Sequence, residues 1–290
     1  MIEPSHSNSF ELMKRFLYYI KLTRPINCLI TALVVLVGGI ISSPQNSVGI
    51  NLILASIVAA LVAASGNVIN DLFDIEIDKI AHPDRPLANG NLKIIEAKIF
   101  YIVLLIIAIS ISLILNHQLL IITLFALTLL YFYSFLLKKI PLLGNIVIAF
   151  LTALAFLFGG IAVDNISGAI IPAIFAFLIN LIRELVKDAE DYEGDKTYNV
   201  NTLPVKYGMK RTKQIALAIS IMLIVFTFYP FVERIYKIEY FIVVMIIVNP
   251  ILVHSMKKLF EKDDEKIYKQ ISSILKLNMI FGLIAIYLGK

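Results

Sequence analysis

Nine long apolar segments constrain this chain more than any other feature of its sequence. They cover residues 18–41, 48–70, 95–115, 118–137, 142–163, 168–187, 212–231, 238–256 and 270–288. A helix needs about 20 mostly apolar residues to cross a bilayer. Runs such as Ile99–Leu115 are continuously apolar and lack the alternation of a barrel strand, and backbone inside a bilayer must be helix or closed barrel. The sequence therefore predicts nine transmembrane helices.

Composition supports the same class of protein. Hydrophobic residues make up 59% of the chain and charged residues 16%, whereas a soluble domain is typically about 25% charged. We expect an all-α integral membrane protein with one domain, residues 1–290, and two cytoplasmic cap loops at about 71–98 and 187–213. The polar segment 1–24 lacks the pattern of a signal peptide. The single cysteine, Cys28, excludes an intrachain disulfide.

The distribution of Lys and Arg predicts the orientation of the spans. If the N-terminus is cytoplasmic, the cytoplasmic side receives all but three of the 26 Lys and Arg residues, the exceptions being Arg234, Lys237 and Lys290. Positively charged loops stay in the cytoplasm. We therefore expect a multi-pass protein of the cell membrane with a cytoplasmic N-terminus. The basic isoelectric point reflects this topology, and we expect no nucleic-acid partner.

Two acidic clusters lie at the predicted cytoplasmic ends of the second and sixth spans with the same spacing of 4, 3 and 4 residues. They are Asn67, Asp71, Asp74 and Asp78, with Asn70 in line with the last two, and Glu184, Asp188, Asp191 and Asp195. On a helix each set lies along one stripe. Stripes of like charge need a shared counter-charge, which Mg²⁺ supplies when it bridges carboxylates to substrate phosphates. A solvated acidic helix end at the membrane surface is the alternative interpretation.

Basic and aromatic residues accompany these clusters on the predicted cytoplasmic side. Arg85 lies between Pro83 and Pro86, which restrict its loop. The other residues of this group are Lys79, Lys138, Lys139, Lys187, Tyr131 and Tyr133. Cationic groups stabilise a diphosphate as it leaves, and the tyrosines can contact diphosphate oxygens or an allylic cation. For each lysine, a position explained by the positive-inside rule alone is an equal alternative to a substrate contact. For the tyrosines, anchoring at the membrane interface is an equal alternative.

The run Asn70-Asp71-x-x-Asp74-x-x-x-Asp78, followed by Arg85-Pro86, resembles the first signature of the UbiA superfamily of intramembrane prenyltransferases. Lys187-Asp188-x-x-Asp191-x-x-Gly194-Asp195 resembles the second. The resemblance covers essentially the whole chain and implies a bundle of nine helices around a central cavity. Within the superfamily, Leu22-Thr-Arg24-Pro25 and Arg183-Glu184-x-x-Lys187-Asp188 are most similar to the archaeal ether-lipid synthases. His82 departs from that pattern, which has arginine there, and histidine is only partly charged near neutral pH.

The resemblance implies a Mg²⁺-dependent transfer of a geranylgeranyl group from geranylgeranyl diphosphate to the free hydroxyl of geranylgeranylglyceryl phosphate, a lipid acceptor in the membrane. The implied metal ligands are Asn70, Asp74, Asp78, Asp188, Asp191 and Asp195, with Asn67, Asp71 and Glu184 as second choices. Asp74, Asp78, Asp191, Arg85 and Lys187 are the implied catalytic residues. For substrate binding we expect Arg24, Lys21 and Arg183 to contact the acceptor phosphate, together with Tyr131, Tyr133 and Lys138.

Two alternative functions are also compatible with the sequence. The second acidic motif is shared with relatives that prenylate aromatic acceptors such as homogentisate, 4-hydroxybenzoate or chlorophyll precursors. An ion-coupled transporter is a rival of another class, but transporters place acidic groups near the bilayer midplane, whereas these acids follow the ends of spans.

Overall fold

The computed structural model describes residues 5–43, 48–197 and 200–290, with the side chains of residues 5–12 and of Ala81 outside that description. In these ranges nine helices are long and apolar enough to cross a membrane. The nine predicted spans are therefore confirmed, and the chain is a multi-pass membrane protein. The described residues form two compact units, the first reaching to Leu36 and resuming over Val48–Phe135.

The first unit contains a short connecting helix and the spans that precede Leu136. Its helices are α1 (Ser5–Thr23), the first part of α2 (Pro25–Ser42), α3 (Ile50–Phe73), α4 (Ile75–Ala81), α5 (Ile94–Leu115) and α6 (His117–Phe135). Its core joins Leu22 of α1 to Val68 of α3 and Ala97 of α5, all three fully buried. This apolar contact holds the start of the chain against the cytoplasmic end predicted for the second span.

The second unit contains the rest of α2 and the helices that follow Leu136. They are a 3₁₀ turn (Leu137–Lys139), α7 (Leu143–Ala162), α8 (Ile166–Glu190), α9 (Tyr192–Thr197), α10 (Leu203–Tyr207), α11 (Met209–Val232), α12 (Ile238–Val243), a π-helical turn (Val244–Val248), α13 (Asn249–Glu261) and α14 (Glu265–Gly289). The eighth span combines α12, the π turn and α13. Ile182 and Leu185 of α8 are fully buried against Leu252 and Ile271.

The first span begins later than predicted. Residues 18–23 belong to α1, and the spanning helix α2 begins at Pro25. Arg24 separates the two helices with a φ of 52°. A left-handed residue commonly ends a helix, and proline fits the first turn of the next one because it has no N–H to pair. The sequence did contain a signal for this junction, because Lys21 and Arg24 interrupt the apolar pattern and Pro25 follows. The predicted start at residue 18 was wrong.

The two predicted cap loops contain helices. Segment 71–98 includes the end of α3, the whole of α4 and the first turn of α5. Segment 187–213 includes the end of α8, then α9, α10 and the start of α11, while its residues 198–199 lie outside the described residues. The single-domain organisation stays a prediction.

A close helix crossing in the second unit depends on a glycine. A Cβ atom added to Gly38 of α2 would lie 2.8 Å from the Phe156 carbonyl oxygen and 3.0 Å from its Cα atom on α7. Small residues allow membrane helices to approach this closely. The contact is with backbone, so a side chain on α7 cannot move aside to make room.

Candidate metal and substrate site

Each acidic cluster has the same local backbone structure. The spanning helix ends at the third position of the cluster, Asp74 after α3 and Asp191 after α8, and a short helix carrying the fourth position follows at once. Asp74 has φ −101° and ψ 7°, and Asp191 has φ −84° and ψ 2°. Aspartate is disfavoured within helices because its side chain competes for backbone groups. The prediction of one continuous helical stripe was therefore wrong in both clusters.

In the first unit, Asp71 and Asp78 are paired with arginines. Asp71 is 2% exposed and accepts a hydrogen bond from Arg24. Arg85 Nη1 lies 3.5 Å from Asp71 Oδ1 and 2.6 Å from each carboxylate oxygen of Asp78. The two arginines thus stabilise two buried carboxylates at the cytoplasmic end predicted for α3, as charge-assisted hydrogen bonds can do.

A cavity of about 520 Å³ opens beside this ion-pair network. It is lined by Leu17, Ile20, Lys21, Arg24, Pro25, Asp71, His82, Asp84, Arg85 and Pro86. Lys21 Nζ donates to the Asp84 backbone oxygen at 2.8 Å and lies 3.1 Å from its Oδ2. Hydrogen bonding from Lys21 holds the pKa of Asp84 below its usual range. The cavity therefore combines an apolar side with a cluster of cations, a combination that suits an anionic group carried by a lipid.

The other predicted residues of the first unit lie around the same helix end. Asn70 Nδ2 donates to Asp74 Oδ2 at 2.9 Å, so two of the predicted metal ligands are already adjacent. Asn67 donates instead to the Thr23 backbone oxygen at 2.8 Å and joins α3 to the end of α1. The Tyr131 ring packs edge-on against Phe73 with centroids 5.6 Å apart. Tyr133, two residues further along α6, is partly buried.

In the second unit, the structure joins α8 to α7 through polar side chains. Asn145 Nδ2 donates to Asp188 Oδ2 at 3.0 Å. Asp195 in α9 is partly buried, and burial raises its pKa above the usual range. Lys187 and Asp191 are exposed, and Lys138 lies in the 3₁₀ turn before α7.

Arg183 belongs to a polar chain within the same helix pair. Its Nη1 donates to Asn180 Oδ1 at 3.1 Å and to Glu184 Oε1 at 2.6 Å. Asn180 Nδ2 in turn donates to Thr152 Oγ1 at 3.0 Å on α7. The sequence prediction missed Thr152 and Asn180. A polar residue inside an otherwise apolar span was the available signal, because such groups are costly in a bilayer unless they have partners.

The donor set suits a hard divalent cation. In residues 5–43, 48–197 and 200–290, no three His, Cys, Asp or Glu side chains converge closely enough to hold a metal ion by themselves. The amide and carboxylate oxygens at Asn70–Asp74 and Asn145–Asp188 are the ligand types that Mg²⁺ prefers, and Mg²⁺ usually completes its shell with water and substrate phosphates. The residues therefore fit Mg²⁺ bound together with a phosphorylated substrate.

Comparison with known proteins decides the family. The model of the UbiA prenyltransferase family matches residues 29–280, most of the chain. The chain belongs to the UbiA prenyltransferase family. The digeranylgeranylglyceryl phosphate synthase of Methanopyrus kandleri is 35% identical to this UbiA protein over 267 residues, which cover 92% of this chain and 97% of the relative.

Two solved structures show the UbiA fold. A structure of digeranylgeranylglyceryl phosphate synthase in membranes superposes with a TM-score of 0.82 and 36% identity, and the match covers 95% of this chain and 98% of the other. A UbiA homolog from Archaeoglobus fulgidus bound to GPP and Mg²⁺ gives a TM-score of 0.68 at 21% identity, with 93% and 99% covered. The resemblance inferred from the acidic motifs and the all-helical fold are thereby confirmed.

Proposed function

We propose that this UbiA protein transfers the geranylgeranyl group of geranylgeranyl diphosphate to the free hydroxyl of geranylgeranylglyceryl phosphate, the reaction of a digeranylgeranylglyceryl phosphate synthase in archaeal ether-lipid synthesis. The observation that carries this proposal is the likeness to a synthase of that name at 36% identity over 95% of the chain. The acidic elements that end α3 and α8 supply the chemistry that a diphosphate substrate needs.

The metal ligands are assigned from the donor chemistry of these elements. Asn70, Asp74 and Asp78 are the proposed ligands in the first unit, and Asp188, Asp191 and Asp195 in the second. Asn67, Asp71 and Glu184 are the second-choice ligands. Bound Mg²⁺ would neutralise negative charge on the departing diphosphate.

The residues of this chain support ionisation followed by attack. The bond between carbon 1 of the allylic chain and the diphosphate oxygen breaks, and its electron pair leaves with the diphosphate. Arg85 and Lys187 stabilise that leaving group electrostatically. The acceptor hydroxyl oxygen then bonds to carbon 1, and its proton passes to a carboxylate of the acidic clusters. Tyr131, Tyr133 and Lys138 are the proposed further contacts to the allylic substrate.

The acceptor phosphate is assigned to the cationic part of the first-unit cavity. Lys21 and Arg24 line it, and their partners Asp84 and Asp71 hold them in place. Arg85 lines the same cavity. A phosphate monoester carries up to two negative charges, so it competes well with a single carboxylate for these cations. Arg183 of the second unit is a further candidate, since its Nε is buried without a hydrogen-bond partner among the described residues.

The test is transfer by the purified full chain in lipid vesicles. Labelled geranylgeranyl diphosphate and Mg²⁺ are supplied with one acceptor at a time: geranylgeranylglyceryl phosphate, 4-hydroxybenzoate, homogentisate or dihydroxynaphthoate. We expect product with the lipid acceptor alone, loss of product with EDTA, and recovery when Mg²⁺ is added back. Product only with an aromatic acceptor would replace the proposed acceptor, and no product with any acceptor would overturn prenyl transfer.

A further inference from the structure

Helix α1 presents an apolar face to its surroundings. Met13, Phe16, Leu17 and Ile20 are 56%, 62%, 54% and 37% exposed. Their spacing of 3, 1 and 3 residues places them on one side of the helix. Exposed apolar side chains that form one continuous stripe mark a surface that binds a partner or a membrane.

The opposite side of α1 is fixed to the protein. Leu22 is fully buried in the core of the first unit, and Tyr18 and Tyr19 pack partly buried against the same core. Arg15 pairs with Glu96 at the start of α5. At 100° per residue these four positions centre about 180° away from the exposed stripe. The helix therefore cannot turn its exposed stripe inward without losing the contacts that hold it.

Two further observations favour lipid as the occupant of the stripe. The apolar surface continues across Arg24 onto α2, where Ile26, Leu29, Ile30 and Leu33 are 72%, 60%, 54% and 47% exposed on a membrane-spanning helix. The exposed cations Lys14 and Lys21 lie beside the stripe. They are about 80–100° around the helix axis from Met13. An apolar face flanked by lysines is typical of helices that lie in the membrane interface.

We propose that α1 lies in the plane of the lipid–water interface, with Met13, Phe16, Leu17 and Ile20 among the upper acyl chains and its lysines at the headgroups. Leu17 and Ile20 also line the cavity that contains Lys21 and Arg24. The cavity therefore opens at headgroup level, and a lipid phosphate reaches these cations from the bilayer surface without crossing bulk water. The membrane position of α1 does not depend on which acceptor the enzyme uses.

The chain has no tryptophan, so a single introduced tryptophan reports one position without background. Phe16→Trp places the reporter on the stripe, and Lys14→Trp is the matched control on the flank of the same helix. Both variants are reconstituted as the full chain in phospholipid vesicles, with bromine either in the upper part of the acyl chains or at their ends. Quenching of tryptophan emission then gives depth, and circular dichroism confirms that each variant is folded.

For an indole about 5–10 Å below the headgroups, we expect Phe16→Trp to be quenched at least about twofold more by the shallow bromines than by the deep ones. Lys14→Trp should be quenched less by either set. Equal quenching of the two variants, or no quenching of Phe16→Trp, would overturn the proposal. The tryptophan of Phe16→Trp could instead be shielded from water without being quenched by bromine, to an extent that changes with the ratio of protein to lipid. That result would assign the stripe to a second copy of the chain.

Discussion

Asp71 organises two arginines from different parts of the first unit. It is buried, and it pairs with Arg24 from the α1–α2 junction and more distantly with Arg85 from the loop after α4. A buried carboxylate is stable only when its charge is matched. This pairing favours a positioning role for Asp71 over metal binding. It also connects the acidic cluster to the cavity.

Replacing Asp71 by asparagine tests this positioning role. Asp71→Asn keeps the shape of the side chain but leaves the two guanidinium groups without their shared anion. We expect a loss of about 2 kcal/mol in unfolding free energy, the size of a hydrogen bond to a charged group, together with a raised KM for the lipid acceptor. Unfolding by SDS and steady-state kinetics measure the two effects.

The exposed ion pair of the same cavity provides the control. Asp84→Asn removes the carboxylate that pairs with Lys21 and keeps the hydrogen bond to the backbone oxygen. The Asp84 side chain is 75% exposed. Surface ion pairs contribute little to stability, so the unfolding transition should stay near that of the unchanged protein. If Asp71→Asn and Asp84→Asn unfold alike, the buried network does not contribute the stability assigned to it.

Asp191 is the residue at which the proposed metal role can be tested most directly. It ends α8 at an exposed position, so its replacement should disturb the fold little. We expect Asp191→Asn to lower kcat by at least about 100-fold, the typical loss when one group that stabilises developing charge is removed. Glu193→Gln, an exposed change two residues away, should retain activity. Full turnover by Asp191→Asn at ordinary Mg²⁺ would rule out Asp191 as a ligand.

At the scale of secondary-structure elements, the loop between α13 and α14 is tied to α11. Lys213 of α11 is 7% exposed and lies 2.7 Å from Asp263 Oδ1. Tyr268 of α14 also donates a hydrogen bond to Asp263. The hydrogen bond from Lys213, with that from Tyr268, lowers the pKa of Asp263 below its usual range. One aspartate thus connects three helical segments.

This connection predicts a pH dependence of stability. Because the folded-state pKa of Asp263 lies below the unfolded value of about 3.9, the pairing stabilises the fold above that pH and is lost as pH falls through the lower folded-state pKa. Asp263→Asn should lower the unfolding temperature at pH 7 by an amount equivalent to less than about 1 kcal/mol, since the aspartate is mostly exposed.

Thermal unfolding of Asp263→Asn and the unchanged protein across a pH series measures this effect. The difference between the two should shrink as pH falls below the unfolded-state pKa of about 3.9 and vanish below the lower folded-state pKa. Glu261→Gln, an exposed change at the end of α13, is the control and should show no such convergence. A difference that persists at low pH would show that charge pairing is not its cause.

Helix packing in the second unit gives a prediction from a pair of glycines. Gly38→Ala forces a methyl group against the Phe156 backbone and should cost about 1–3 kcal/mol of stability. Gly282→Ala, in open space within α14, should instead stabilise by about 0.5–1 kcal/mol because alanine is the better helix former. Resistance to SDS unfolding compares the two, and loss of stability in both would contradict the role given to the α2–α7 crossing.

At the scale of the whole molecule, the fold could be predicted because apolar length determines which segments cross a bilayer. The helix breaks at Arg24, Asp74 and Asp191 were not predicted. Lys21, Arg24 and Pro25 interrupt the apolar pattern and so did signal the first break. The acidic spacing continues through Asp74 and Asp191, so it contains no signal for the helix breaks there. The Arg24–Asp71 pair joins residues 47 positions apart, and only the packing of α1 on α3 brings them together.

Labelling of single cysteines tests the predicted orientation of the molecule. In a Cys28→Ser background, Asn89→Cys and Glu193→Cys should react with a membrane-impermeant maleimide from the cytoplasmic side, and His117→Cys from the other side. The imbalance of Lys and Arg between alternate loops is the reason. Labelling of Asn89→Cys and His117→Cys from one common side would refute the alternation on which the cytoplasmic active site depends.

The left-handed backbone at Arg24 affects how any substitution there should be interpreted. An arginine at a φ of 52° costs about 1–2 kcal/mol, which glycine would not incur. Arg24→Gly therefore recovers that conformational cost while it gives up the contact with Asp71, whereas Arg24→Ala recovers almost none of it. A mild phenotype for Arg24→Gly would thus combine two opposing changes. Because Arg24→Ala keeps almost all of the backbone cost, its effect measures the contribution of the guanidinium group to stability.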